Sequence, residues 1–170
     1  HIKILDHTSA GVSSAVLQRE AEFGITIADS HHAELNSVPL LQDEFALVCR
    51  DDHPLSRHEA LRWKDLEPYP LISIGQLSGN RPLLDRALEE QDVVIQSLYE
   101  VQRVSTALGL VAEGVGAAVL PRLALQGDAY PRIRVLRLTG PVIARGLVLI
   151  SRKTAEFSPA AEALYQMVRS

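Results

Sequence analysis

Polar side chains are concentrated in three loops, and each loop follows a stretch that is typical of a strand. Asp29 and Ser30 end one such stretch, residues 75–79 follow Leu71–Ile74, and residues 102–106 follow Ser97–Val101. Parallel α/β sheets bind their ligands at the carboxyl ends of the strands. Two of the loops also open predicted helices, whose first N–H groups carry partial positive charge and can hold a carboxylate or a phosphate. The pattern predicts an anion-binding site made of Asp29, Ser30, Gly75, Gln76, Leu77, Ser78, Arg103, Val104, Ser105 and Thr106.

The side chains of these loops fit two roles. The hydroxyls of Ser78 and Ser105 could donate to an anion, and the guanidinium groups of Arg81 and Arg103 could add forked sets of donors. The same region also fits a structural role, because Ser78, Asn80 and Ser105 are good helix caps. Exposed arginines are, moreover, commonly solvated. Both interpretations stay open at the level of the sequence.

Other groupings of reactive residues are weaker. Gly114 and Gly116 follow a predicted helix and precede a strand, which is the reverse of the order in which a glycine-rich loop binds pyrophosphate. The segment 75–79 lacks the spacing of a nucleophile elbow, and no histidine or acid is placed to complete a triad. The histidines lack the spacing of metal ligands, and Cys49 lies in an apolar strand where it is expected to be buried. The sequence therefore predicts no catalytic residue, no metal ion and no cofactor.

Alternating strands and helices position the three loops. Leu71–Ile74, Ser97–Val101 and Ala118–Leu120 are predicted strands, separated by a helix over 80–91 and by a second helix that begins after residue 103. Gly114 is placed to close the second helix in the left-handed conformation. This β-α-β-α-β order is typical of a parallel sheet.

The flanking segments add further elements. Ile2–Asp6, a helix over 9–20 and Gly24–Asp29 are predicted to form a β-α-β unit with parallel strands. Residues 60–66 are predicted to form a helical turn that ends before Pro68 and Pro70, where a boundary between lobes is expected. Additional strands are predicted at Val38–Leu41, Phe45–Arg50, Ile133–Leu138 and Gly146–Arg152, and a last helix is predicted to begin at Ser158-Pro159.

Composition limits the possible functions. A chain of 170 residues that is 46% hydrophobic can form one domain or two small lobes. Its formal charge of −4, without a cluster of Lys and Arg, disfavours nucleic-acid binding by this segment. A single cysteine excludes an internal disulfide and favours a reducing, cytoplasmic setting. A secretion signal and an apolar run near the ~20 residues of a membrane span are both lacking, so a soluble chain is expected.

Several motifs together resemble a known family. They are Asp52–Leu55, Trp63–Leu66, Pro70–Ile72, Leu110–Pro121 and Ser158–Ala161. In this order they resemble the C-terminal effector-binding (regulatory) domain of LysR-type transcriptional regulators, and the resemblance covers nearly the whole chain.

That resemblance implies an α/β fold of two Rossmann-like lobes joined by two crossover segments, which is a periplasmic-binding-protein type 2-like arrangement. Lobe I would contain residues 1–68 and 132–170, lobe II would contain residues 69–131, and a small-molecule effector would bind in the cleft between them. Domains of the family pair as dimers, and as tetramers in the full-length proteins. DNA is bound by an N-terminal winged helix-turn-helix that this sequence does not contain.

The sequence departs from the family pattern at its start. The strand and helix that open the family's domain are missing, and the missing strand would lie between Ile2–Asp6 and Gly24–Asp29. Its absence would leave backbone donors and acceptors unpaired, so we expect a fragment whose gap is filled by another segment or another chain. A sheet that is continuous without such filling would contradict this strand alignment. A minor departure is Glu22, where the family usually has Asp.

Two functions follow from the sequence. The first is an effector-sensing domain of a DNA-binding regulator, cytoplasmic and oligomeric, that binds a small anionic metabolite, does not contact a membrane, and transmits occupancy to transcription through the geometry of its oligomer. The second is a stand-alone solute-binding protein or a small enzyme on the same two-lobe plan. The lack of a secretion signal and of a catalytic set argues against the second.

Overall fold

The computed structural model describes residues 1–28, 32–75, 79–125 and 130–170. The chain divides into two compact units: unit 1 contains His1–Gln42 and Gly146–Ser170, and unit 2 contains Asp43–Arg145. The lobe boundaries implied by the resemblance, at 68/69 and 131/132, stay a prediction.

Strands and helices alternate through most of the chain. Short 3₁₀ turns cover Pro54–Arg57, Trp63–Leu66 and Arg122–Leu125. The longer elements, in chain order, are α1 (Ser9–Leu17), β1 (Phe23–Ile27), β2 (Leu35–Arg50), β3 (Ala60–Arg62), β4 (Leu71–Ile74), α2 (Asn80–Glu89), β5 (Ser97–Val101), α3 (Val104–Ala112), β6 (Ala117–Pro121), β7 (Ile133–Thr139), β8 (Ala144–Arg152) and α4 (Pro159–Arg169).

Unit 1 is built around an antiparallel pair of strands. β1 pairs with β8, with Phe23 opposite Ser151 and Ile27 opposite Leu147. Helix α1 packs on these strands through Val16, which joins Val148 and Ile150 in a small apolar cluster. Burial of this apolar face stabilises a helix that, at nine residues, would be marginal alone.

Helix α4 begins where the sequence predicts. The Ser158 hydroxyl accepts a hydrogen bond from the backbone N–H of Ala161 at 3.3 Å, which is the bonding of an N-cap. The Glu22 carboxylate in turn accepts from the backbone N–H of Ser158 at 2.6 Å and from its hydroxyl at 2.9 Å. Glu22 therefore fixes the start of the last helix.

The predicted strand at Ile2–Asp6 is wrong. Residues 1–8 form neither helix nor strand, and Ile4 is 86% exposed. The parallel pairing predicted between that strand and Gly24–Asp29 is therefore wrong as well, and β1 instead pairs with β8, antiparallel. The physical reason is that a strand needs a neighbour for its backbone groups, and no strand of the described residues pairs with residues 2–6. The helix predicted over 9–20 ends earlier, at Leu17.

Unit 2 contains a mixed sheet with the strand order β3-β7-β2-β6-β4-β5. β4 lies parallel to both β5 and β6, whereas β2 lies antiparallel to β6 and β7. The β-α-β-α-β order predicted for the middle of the chain is confirmed. The apolar second part of β2 occupies the interior of the sheet, because β6 and β7 lie on either side of it.

Alternate side chains of this sheet enter two different cores. Leu71 belongs to a cluster with Phe45, Trp63 and Leu88, on the side that α2 covers. Ile72 belongs to a second cluster, which includes residues of α3. This alternation follows from the two-residue period of a strand.

Gly114 closes α3 as predicted. Its φ is +77°, a conformation that favours glycine. Its N–H donates to the carbonyl of Val111 at 2.9 Å, and the N–H of Val115 donates to that of Leu110 at 3.0 Å. These two bonds form a Schellman motif and satisfy carbonyls at the helix end.

The helical turn predicted over 60–66 is wrong in its first half. Ala60–Arg62 forms β3, parallel to β7, and only Trp63–Leu66 forms a 3₁₀ turn. Leu61 and Trp63 are buried while Ala60 and Arg62 are exposed, so the two-residue period of a strand prevails. The strands predicted at 38–41 and 45–50 are parts of one strand, β2, because residues 42–44 continue its extended backbone.

Candidate functional site

Half of the predicted site lies outside the described residues, namely Asp29, Ser30, Gln76, Leu77 and Ser78. The other half is Gly75, Arg103, Val104, Ser105 and Thr106, all in unit 2.

Gly75 joins the loop after β4 to the loop after β5. Its backbone N–H donates to the carbonyl of Val101 at 2.7 Å. A Cβ at Gly75 would lie only 2.5 Å from Nε2 of Gln102, so the Gln102 side chain packs directly on the glycine backbone. The structure thus brings the ends of β4 and β5 into contact.

The first turn of α3 lies next in the chain. Arg103 is the N-cap residue, with extended backbone, and its own side chain forms no capping hydrogen bond. Ser105 and Thr106 are exposed in the first turn. Val104 is half-buried and packs against the second apolar cluster, which contains Ile72 and residues of α3. The interpretation of Ser105 as the helix cap is wrong, since the cap position falls two residues earlier. The exposed hydroxyls therefore lie beside a helix start that is open to a negatively charged group.

The start of α2 is different. Asn80 is the first residue of the helix and not its cap, which is Gly79, and only 4% of Asn80 is exposed. Its Oδ1 accepts a hydrogen bond from Nη1 of Arg145 at 3.0 Å. The cap interpretation of Asn80 is therefore wrong, because its side chain bonds to a residue far along the chain. Arg81 forms an ion pair with Asp85 one helical turn later, with Nε at 2.7 Å from Oδ1.

Arg145 also holds a buried carboxylate that sequence reasoning missed. Its Nε and Nη2 donate to Oδ2 of Asp43 at 3.0 and 2.8 Å. The other carboxylate oxygen of Asp43 accepts from the backbone N–H of Leu123 at 3.0 Å. The sequence offers one signal for this pair, because Asp43 and Arg145 each lie just before the apolar run of a strand. Exposed charged residues also lie just before apolar runs, so the signal does not distinguish a buried side chain from an exposed one. The Asp43–Arg145–Asn80 network therefore fixes the start of α2 from two strands.

Burial is the main cause of the pKa shifts of two groups, Cys49 in β2 and His53 just after it. Burial raises the pKa of the Cys49 thiol to about 11, and the cysteine is free and buried as predicted. Burial also lowers the pKa of His53, whose Nδ1 accepts from the backbone N–H of Leu55 at 3.2 Å. Both shifts favour the neutral side chain, and neither residue belongs to the loops above.

Neither a membrane-spanning helix nor a cluster of metal ligands occurs among the described residues. No helix among them is long and apolar enough to cross a membrane. Within residues 1–28, 32–75, 79–125 and 130–170, no three His, Cys, Asp or Glu side chains converge in a way that could hold a metal ion.

The fold and the edge of the unit 2 sheet define a class of small-molecule-binding α/β domain, in which parallel strands end at loops that open helices. The chain belongs to the LysR substrate binding domain family, whose model matches residues 1–170. This confirms the resemblance and the predicted fold class, mixed α/β of the periplasmic-binding-protein type 2-like kind.

Curated relatives are transcriptional regulators by name. The chain is 36% identical over 167 residues to the uncharacterized HTH-type transcriptional regulator YbhD of Escherichia coli (strain K12), covering 98% of this chain and 53% of that protein. It is 33% identical over 164 residues to YfeR of Shigella flexneri, an uncharacterized regulator of the same type, covering 96% of this chain and 53% of that protein. The chain thus spans about half the length of these relatives.

Solved structures show the same fold with small molecules bound. The effector binding domain of QuiR in complex with shikimate has a TM-score of 0.82 at 21% identity, over 96% of this chain and 77% of that one. The regulatory domain of CcmR from Synechocystis PCC6803 in complex with 2-PG has a TM-score of 0.81 at 18% identity, over 95% and 78%. These two likenesses show that the chain has the same fold as both domains.

Proposed function

We propose that this domain senses a small anionic metabolite at the ends of β4 and β5. The observation that carries the proposal is the first turn of α3, which exposes Ser105 and Thr106 next to Arg103 and which Arg103, the N-cap residue, does not cap with its side chain. Support comes from the family match and from two domains of the same fold that hold small molecules.

The chemistry of this turn favours an anion. The first N–H groups of a helix lack carbonyl partners within the helix, and the helix dipole places partial positive charge there. A carboxylate or phosphate would accept from these groups, and the neighbouring hydroxyls and the guanidinium would add charge-assisted bonds. The contact of Gly75 with Gln102 keeps the end of β4 close to the residue that precedes Arg103. Asp29, Ser30 and residues 76–78, which lie outside the described residues, are the other residues that we propose for ligand contact on the sequence pattern.

The proposed consequence concerns a longer, cytoplasmic protein that contains this domain. In it, effector binding would favour one arrangement of a dimer or tetramer over another, by as much as the effector's affinities for the two arrangements differ. DNA would be contacted by a separate helix-turn-helix domain. Binding and regulation, without catalysis, then account for the function.

Calorimetry with matched ligand pairs tests the proposal. Each carboxylate or phosphate of a metabolite panel is compared with its uncharged amide or ester, and we expect binding of the anion alone. Arg103→Ala and Ser105→Ala should each weaken that binding about 10- to 100-fold, since a hydrogen bond to a charged group contributes about 1.5–3 kcal/mol.

Two exposed residues elsewhere supply matched controls. Arg86→Ala on α2 and Ser37→Ala on β2 remove the same groups far along the chain from the α3 turn, and both should bind the anion as the unmodified chain does. Tight binding of the uncharged member of a matched pair that Arg103→Ala or Ser105→Ala weakens, or unchanged affinity for the anion in both site variants, would refute the proposed site.

A further inference from the structure

A cavity of about 220 Å³ lies inside unit 2, between α2 and the sheet. Phe45, Leu71 and Val119 line it from the strands, and Leu84 and Leu88 line it from the helix. Phe45 and Leu71 are each only 2% exposed, whereas Val94 in the same wall is 70% exposed, so the cavity extends from the core to solvent. A mainly apolar pocket of this size beneath a helix is a candidate binding site.

Five polar side chains of the cavity wall are already engaged in hydrogen bonds or ion pairs, and a sixth, the exposed Glu89, is an acid. The hydroxyls of Ser73 and Ser97 lie 2.6 Å apart and share a hydrogen bond. Asn80 accepts from Arg145, and Arg81 is paired with Asp85. A charged ligand would have to be desolvated against a mainly apolar wall, which is costly without a partner. The wall therefore selects an uncharged molecule.

An apolar entrance leads to the cavity. Val94, in the segment between α2 and β5, lines the cavity and is 70% exposed. Neighbouring Val93 also lines it and is only 7% exposed, so the segment runs from solvent into the interior. A small molecule can thus reach the cavity from this side with apolar contacts along its path.

We propose that the cavity under α2 is a second binding site, which takes a small uncharged aromatic molecule of one or two rings. An apolar cavity of about 150 Å³ is large enough to bind benzene, and this one is larger. The site differs from the proposed anion site in both position and chemistry, because Gly75, Arg103, Ser105 and Thr106 do not line it.

Indole and p-xylene serve as ligands for the test, with the 170-residue chain in thermal-shift and calorimetric titrations. At about ten times the dissociation constant, a rise in Tm of about 3–5 °C is expected. Indole-3-carboxylate, the charged analogue, should bind this cavity at least tenfold more weakly than indole. Arg103→Ala should leave indole binding unchanged, which separates this site from the anion site.

Val119→Phe fills the cavity and should weaken indole binding at least tenfold. Val115→Phe is the matched control, since Val115 is 39% exposed and does not line the cavity, and its binding should be unchanged. Nuclear Overhauser contacts between indole and the methyl groups of Leu84, Leu88 and Val119 in the unmodified chain give the same answer if Val119→Phe fails to fold. Absence of binding by both ligands, equal binding by the two variants, or contacts to methyl groups elsewhere would overturn the proposal.

Discussion

Removal of the Asp43 carboxylate should cost unit 2 much of its stability. The Asp43 side chain is 1% exposed and that of Arg145 is 16% exposed, so the two charges interact away from water. In Asp43→Ala the guanidinium loses two donor contacts at 3.0 and 2.8 Å, and the N–H of Leu123 loses its acceptor. Breaking one partner of a buried ion pair costs about 3–5 kcal/mol, because an uncompensated charge stays in the interior.

Urea unfolding measures this loss through Trp63, the only tryptophan, which is buried in unit 2. With an m-value of about 2 kcal/mol per molar urea, a loss of about 4 kcal/mol lowers the midpoint by about 2 M. The double variant Asp43→Leu with Arg145→Met removes both charges and replaces them with apolar side chains. Its loss of unfolding free energy should therefore be far smaller than that of Asp43→Leu or Arg145→Met alone.

Asp85→Ala is the control for the single variant. It breaks the Arg81–Asp85 pair, whose side chains are 27% and 42% exposed, and its cost should be only about 0.3–0.5 kcal/mol. A urea midpoint that shifts no more in Asp43→Ala than in Asp85→Ala would refute the predicted cost of breaking the buried pair. So would a double variant whose loss of unfolding free energy equals the summed losses of Asp43→Leu and Arg145→Met.

Three further predictions concern single residues. Gly114→Ala should destabilise unit 2 by at least about 1–2 kcal/mol, since φ is +77° and the new Cβ would meet the guanidinium of Arg50. Gly109→Ala, in the interior of α3, should instead stabilise unit 2 by about 0.5–1 kcal/mol. Equal urea midpoints for the two variants would contradict this prediction. Because burial raises the pKa of Cys49 from 9.0 to about 11, the unfolded thiol ionises first, and stability should fall by about 2–3 kcal/mol between pH 9 and 11, a slope that Cys49→Ala should lack. Burial lowers the pKa of His53, so His53 takes up its proton in the unfolded state before it does so in the folded state. Stability should therefore fall as the pH drops through 6.5. An NMR titration that gives an ordinary or raised pKa for His53 would contradict this prediction.

Sequence patterns predicted the middle of the chain well, because its signals are local. Helical spacing of apolar residues and a glycine at position 114 predict both the course of α3 and its Schellman end. In Ile2–Asp6 apolar and polar residues alternate as in a strand. This alternation indicates only which side chains share a face of the strand, and it does not show that a partner strand is present. Pairing depends on a neighbour, which the described residues do not supply.

The candidate site was predictable only in part. The order of strands and helices predicted that a helix begins after residue 103, and α3 begins at Val104. Ser105 and Thr106 are exposed in its first turn. Asn80 was misjudged because cap preference is a local property, whereas its partner Arg145 lies 65 residues away. The cavity under α2 depends on how tightly a helix approaches a sheet, which the spacing of apolar residues does not specify.

The alternation of side chains along β4 makes unit 2 modular. Leu71 belongs to the core under α2, while Ile72 and Ile74 belong to the core under α3, so no β4 side chain belongs to both cores. All three residues also line the cavity. Substitutions at Leu71 or Ser73 can reshape one side while the scaffold that presents the α3 turn keeps its contacts. During evolution or directed selection, ligand preference under α2 can therefore diverge without a matching change on the α3 side.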